Sequence, residues 1–139
     1  SFRILNQQKR IMDYKIRLGI PEVEMLWNDL YGGYKQARLG KNELAFFKKF
    51  GKALKLLSTN PKHNSLNSHE IDSLSQKYGF KIWQSYLENN VPAAGRIFWA
   101  YGPGKGEITI LGIEPHPEDS KRGAYGRIKL SSFPKNLNW

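Results

Sequence analysis

The chain contains no cysteine, and that absence removes disulfides, thiolate metal sites and cysteine nucleophiles together. It suits a reducing compartment, so a cytoplasmic location is expected. No apolar run approaches the length that a membrane-spanning helix requires. The opening stretch SFRILNQQKR is too polar for the apolar core of a signal peptide, and no membrane partner is expected. Histidine is scarce, with 3 in 139 residues. His63 and His69 share one polar stretch with Glu70 and Asp72, but their spacing meets no standard metal-ligand pattern. A solvated loop is the preferred reading there, and neither metal nor cofactor is expected. Ser68, His69 and Glu70 are neighbours in sequence, an arrangement that seldom brings three side chains together in space, so a triad is discounted. The glycine-rich run from Gly102 to Gly106 lacks the Gly-Lys-Ser/Thr ending of a phosphate-cradling loop and reads as a hairpin turn. Acidic residues are also few: 12 Asp+Glu stand against 22 Lys+Arg, for a net charge of +10. That field concentrates polyanions such as nucleic acid, although it would attract an acidic protein as well.

What is present reads as one domain over residues 1–139, with residues 1–12 a non-core N-terminal extension in which Met12 is a conceivable original start. Asp13 to Leu18 alternates, with Tyr14, Ile16 and Leu18 on one face of a short strand. A helix is expected over 21–36, opened by Pro21 and the first-turn acids Glu22 and Glu24. Its apolar stripe is Val23, Leu26, Trp27, Leu30, Tyr31 and Tyr34, and Gly32-Gly33 is a place where it would end early or bend. A second helix over 42–58, with Asn42 as N-cap, carries Leu44, Phe47, Phe50, Leu54 and Leu57 on one side. Lys41, Lys48, Lys52 and Lys55 fall on the other, where solvation is the preferred reading and contact with a nucleic-acid backbone the functional one. Asn60-Pro61 stops this helix. Residues 61–78 read as a loop with at most a short helix from His69 to Gln76, and Phe80 to Leu87 as a strand. Three more strands follow. Arg96 to Tyr101 alternates, Glu107 to Ile113 is nearly all apolar as in an interior strand, and Tyr125 to Leu130 alternates again, with Tyr125, Arg127 and Lys129 on one face. Helices segregated from a run of hairpin-connected strands make an α+β protein: a two-helix hairpin on one face of a four- or five-stranded, mostly antiparallel sheet. The first strand would enter at an edge or beside the last.

This element order, over roughly residues 13–130, resembles the RelE/ParE superfamily of toxin-antitoxin systems. Phe80-Lys-Ile-Trp-Gln-Ser-Tyr86, Gly95-Arg-Ile-Phe-Trp-Ala-Tyr101 and Ile108 to His116 are similar to successive strands of that family. The resemblance implies a RelE-like fold, a cognate antitoxin, and either cleavage of messenger RNA, in some members on the ribosome, or inhibition of DNA gyrase, or binding alone. By the same resemblance Arg96 matches an arginine that holds the scissile phosphate, His116 a position used in proton transfer or charge stabilisation, and Tyr125 a C-terminal tyrosine. Two departures stand out: His116 is flanked by Pro115, Pro117, Glu118 and Asp119, and the tail after Phe133 is not obviously the family's terminal helix.

The chemistry is coherent on its own terms. Metal-free RNA cleavage needs a base for the 2′-hydroxyl proton, an acid for the leaving 5′-oxygen and fixed cations for the charge developing on phosphorus. Histidine, arginine and tyrosine supply those functions, with Lys121, Arg122, Arg127 and Lys129 as further phosphate contacts. The structural alternatives are that Arg96 pairs with a carboxylate such as Glu114, that His116 is a plain surface-loop residue, and that Tyr125 is part of the fold.

Overall fold

The computed structural model describes residues 13–19, 21–88, 95–114 and 130–131. The extension over 1–12, the expected strand over 125–130 apart from Leu130, and the tail after Phe133 lie outside them. The described elements are β1 (Lys15–Leu18), α1 (Glu22–Lys35), α2 (Lys41–Thr59), a 3₁₀ turn (Asn64–Leu66), β2 (His69–Glu70), α3 (Asp72–Tyr78), β3 (Trp83–Tyr86), β4 (Arg96–Tyr101) and β5 (Glu107–Glu114). The five strands form one sheet in the order β1-β5-β4-β3-β2. The chain is thus α+β with a mostly antiparallel sheet; β1 alone runs parallel, against β5. The expected hairpin is present, with β4 and β5 antiparallel neighbours. Positive φ at Gly102 and Gly106 bends the chain between them, and the Gly102 carbonyl accepts the Thr109 hydroxyl at 2.8 Å.

Aliphatic and aromatic residues on both faces of β4 explain why it lies inside the sheet. Alternation sends Ile97 and Trp99 into one cluster with Ile108 and Ile110 of β5, Val23 and Leu30 of α1, and Phe50, Ala53 and Leu57 of α2. It sends Phe98 and Ala100 into a second cluster with Leu111, Ile82, and Ile71 and Leu74 around α3. The register slips between Phe98 and Trp99, whose partners are Gly112 and Ile110. Leu111 is therefore the extra residue of a bulge, and it joins the second cluster.

Several local expectations need correction. The N-cap of α2 is Gly40, not Asn42: Gly40 is extended, and Glu43 reaches back to accept its amide at 3.2 Å, half of a capping box. Pro21 precedes the first helical residue of α1 and is not that residue. The cap of α1 comes from far along the chain: the Ser131 hydroxyl accepts from the Val23 amide at 3.3 Å and donates to Glu22 at 3.0 Å. Gly32-Gly33 does not end α1, which runs on to Lys35. On its stripe Val23 and Leu30 are buried, but Tyr31 and Tyr34 are 45% and 50% exposed. The stretch 61–78 contains the one short helix allowed for it, placed at Asp72–Tyr78, but also a 3₁₀ turn and β2, because Leu66, Ile71 and Leu74 each reach a core. The third strand is shorter than the expected 80–87.

Candidate functional site

Arg96 opens β4, where its cross-strand neighbours are Tyr86 of β3 and Glu114 of β5. It shares a face with Phe98, and its guanidinium lies 4.9 Å from the Phe98 ring centroid. Arg96 Nη1 donates to Gln84 Oε1 at 2.7 Å. The side chain is 3% exposed, so this bond forms away from solvent, where a charge-assisted hydrogen bond is strong and its loss costly. Glu114, the carboxylate offered as an example in the structural alternative, forms no ion pair with it; among the described residues the ion pairs are Arg17–Glu107 and Lys49–Glu88.

Gln84 carries the network one strand further. Its amide nitrogen is 3.4 Å from His69 Nε2, and His69 Nδ1 is 3.0 Å from the Asn67 carbonyl. The direction of this chain follows from its ends. Arginine has only donors and a carbonyl only accepts, so Gln84 turns its oxygen to Arg96 and its NH₂ to His69. His69 then holds its proton on Nδ1 and its lone pair on Nε2. The Tyr86 ring stands 6.4 Å from the imidazole, edge to face. Three adjacent strands thus hold an arginine, an amide and an imidazole in one hydrogen-bonded line, with a phenol beside it. Such a line can fix a cation and orient an imidazole.

In the sequence His69 stood out only as a weak metal ligand and as a member of a discounted triad. His63 does not converge on it, being bonded through Nδ1 to Ser65, and no group of three His, Cys, Asp or Glu among the described residues is placed to hold a metal. Ser68 turns elsewhere, to the Pro61 carbonyl and to Ser85 Oγ, both at 2.6 Å, so Ser68, His69 and Glu70 form no triad. His116, Tyr125, Lys121, Arg122, Arg127 and Lys129 lie outside the described residues. Gln84 was missed altogether. A buried polar residue inside a strand was its one signal, and only the β3–β4 register, Gln84 opposite Phe98 and Tyr86 opposite Arg96, turns that signal into a partner for Arg96.

A second concentration of chemistry lies on the other face and at the other end of β4. Tyr101 packs edge-on against Trp99 at 5.0 Å and Trp83 at 6.0 Å, and meets Tyr14 at 5.6 Å. Burial, with a smaller contribution from Tyr14, pushes the Tyr101 hydroxyl up. Lys62 Nζ sits 5.1 Å from the Trp83 ring centroid, within cation–π range. Lys41, Lys48, Lys52 and Lys55 are exposed along α2, as a solvated face requires. No helix among the described residues is long and apolar enough to cross a membrane. Compared with family models, with curated proteins and with solved structures, the chain matches none.

Proposed function

We propose that this chain is a basic, RelE/ParE-like protein that cuts RNA without a metal ion, by attack of a 2′-hydroxyl on the adjacent phosphate. The observation that carries the reading is the setting of Arg96. It opens β4 opposite Glu114, it is oriented by Gln84 at 2.7 Å and by the Phe98 ring, and His116 follows Glu114 by two positions in the sequence. A guanidinium already oriented by its surroundings is preorganised for charge that develops on a phosphate, and at 3% exposure it meets that phosphate once its cover opens. The element order supports the reading too: strand, two helices, then antiparallel strands, with the first strand at an edge beside β5. The β2–α3 segment is additional to that order. The argument from architecture is one of analogy.

In this mechanism His116 takes the 2′-hydroxyl proton, the 2′-oxygen bonds to phosphorus, and the bond to the 5′-oxygen breaks. A proton donor, Tyr125 in the RelE-like assignment, protonates the leaving oxygen, leaving a 2′,3′-cyclic phosphate and a free 5′-hydroxyl. Arg96 stabilises the charge on the phosphoryl oxygens, while Lys121, Arg122, Arg127 and Lys129 contact flanking phosphates. DNA, which lacks the 2′-hydroxyl, is inert. A cognate antitoxin, acidic where it covers the basic surface, completes the assignment, and the ribosome is a candidate site of action.

A second reading is favoured by the 3% exposure of Arg96: a guanidinium this enclosed can serve the fold alone, and the chain would then bind its target without cutting it, whether nucleic acid or a protein such as gyrase. One set of measurements separates the two. Purified protein is incubated with RNA, both free and on translating ribosomes, product ends are mapped, and supercoiling by gyrase is assayed in parallel. The endonuclease reading expects cyclic-phosphate ends, a loss of roughly 10²–10³ in rate for Arg96→Ala, and a similar loss for His116→Gln. Intact RNA with supercoiling blocked identifies the inhibitor, and intact RNA with supercoiling unaffected identifies the binding module.

A further inference from the structure

We propose that the cleft between β1, the end of α2 and the β4–β5 hairpin is a binding site for an unpaired nucleotide of single-stranded RNA. The base would stack on the Tyr14–Tyr101 pair, and the phosphate would be held by Lys62 and Lys105. The cleft encloses about 480 Å³, inside the ~300–1,000 Å³ range of small-ligand sites. Its aromatic floor is rigid: Tyr101 is wedged against Trp99 and Trp83, which stack on each other at 5.6 Å and 17°. Its walls are tied together by backbone bonds, from the Tyr14 amide to the Ser58 carbonyl at 2.6 Å and from the Lys15 amide to the Gly106 carbonyl at 2.9 Å. A site whose walls are already fixed loses little entropy on binding.

The charge around the cleft selects an anion. Lys62 and Lys105 line it and are exposed, as is Lys15 beside it. Among the described residues of the lining Asp13 is the one carboxylate, and the nearby Glu107 is paired with Arg17 at 3.2 Å. Two tyrosine rings with cations at the rim match the chemistry of a base joined to a phosphate, the pairing used by stacking platforms for single strands. Tyr14 and Asn60 also bring polar groups to the lining, which suits a base edge better than an aliphatic ligand. The cleft does not depend on Arg96, which lies five residues back along β4 and on its opposite face. Only the choice of RNA as the strand rests on the endonuclease reading.

The test is binding of the full chain to a labelled single-stranded oligoribonucleotide made uncleavable by 2′-O-methylation, read by fluorescence anisotropy. The double variant Lys62→Glu/Lys105→Glu should weaken binding at least tenfold and reduce the salt slope by about 1.4, from two phosphate contacts at roughly 0.7 each. Tyr14→Ala should cost roughly 5- to 150-fold, the scale of one base stack, while Tyr14→Phe keeps the ring and the affinity. Both lysines are exposed, so their replacement tests the cleft even where Tyr14→Ala disturbs the fold. The matched pair Lys48→Glu/Lys55→Glu on α2 should change affinity far less. No binding by the wild type, equal loss from the α2 pair, or equally ready displacement by polyglutamate overturns the proposal. Binding that depends on the cleft in a protein that leaves RNA intact keeps the cleft and ends the endonuclease reading; cleavage that depends on Arg96 but not on the cleft residues does the reverse.

Discussion

Glu107 is the residue where two opposing electrostatic effects meet most openly. Burial pushes its carboxyl up, but the Arg17 hydrogen bond at 3.2 Å, the Gly104 amide at 3.0 Å and the charges of Arg17 and Lys15 outweigh that and hold it below its ordinary value of 4.5. A carboxylate depressed on folding adds stability that is present above its unfolded value and lost as the pH falls through the lower, folded one. Glu107→Gln should therefore lower the stability at neutral pH, and the Tm with it, by the few tenths to about 1 kcal/mol of a partly exposed pair. Thermal unfolding across pH checks this: the gap between variant and wild type should close as the pH drops below 4.5. A gap that persists in acid would mean that the hydrogen-bond geometry, not the charge, is what Glu107 contributes. The candidate site was legible at this scale only in part. Arg96 stood out in the sequence as a cation within a strand of aromatic and β-branched residues, yet it bonds to the amide of Gln84, a residue that composition did not point to. Composition nominates the arginine; only the strand register shows that Gln84 stands within reach of it.

Among the elements, α1 shows how a sequence signal for a break can be overruled. Two adjacent glycines in a helix cost backbone entropy, but α1 continues through them to Lys35, and Gly33 lies against Leu39, where a Cβ would come within 2.6 Å of Leu39 Cδ2 and 3.2 Å of its Cγ. Gly33 is thus the residue that lets the chain turn closely back toward α2. Gly32 has open space around it. Gly32→Ala should stabilise the protein by about 0.5–1 kcal/mol, and Gly33→Ala should fall short of that gain or reverse it, because Leu39 must move. Denaturant unfolding of both variants checks the contrast, and equal gains would refute the packing argument. Most elements were legible for a related reason: periodicity reports burial directly, so the stripes of α2 and the alternation of β4 point at the cores they enter. The segment 61–78 was legible only as far as one short helix, because its elements are too short for a period to show. β2 has 2 residues and α3 has 7, and their order comes from tertiary anchors such as Ile71 and Leu74. The cap of α1 by Ser131 was equally invisible, lying over a hundred positions away.

For the molecule as a whole, the telling fact is that one strand supplies both cores. Ile97 and Trp99 belong to the cluster with α1 and α2, while Phe98 and Ala100, between and beyond them, belong to the cluster with α3. Neither cluster can dissolve without releasing side chains that alternate along a backbone the other cluster also needs, so the two faces should unfold together. Phe50 and Leu74 probe them separately, being 0% and 1% exposed in the first and second cluster. Phe50→Ala should cost about 3–5 kcal/mol and Leu74→Ala about 2–5 kcal/mol, the range for cavities in close-packed cores. Each should shift a single transition with an unchanged denaturant slope, because the surface exposed on unfolding stays the same. The check is to follow far-ultraviolet circular dichroism and tryptophan fluorescence in parallel. The fluorescence arm draws on Trp99 in the first cluster, so coincident curves in Leu74→Ala mean that a cavity on the α3 face is felt across the sheet. Separated curves, with the fluorescence transition left where the wild type has it, would show that the sheet does not couple its two faces and that α3 melts on its own.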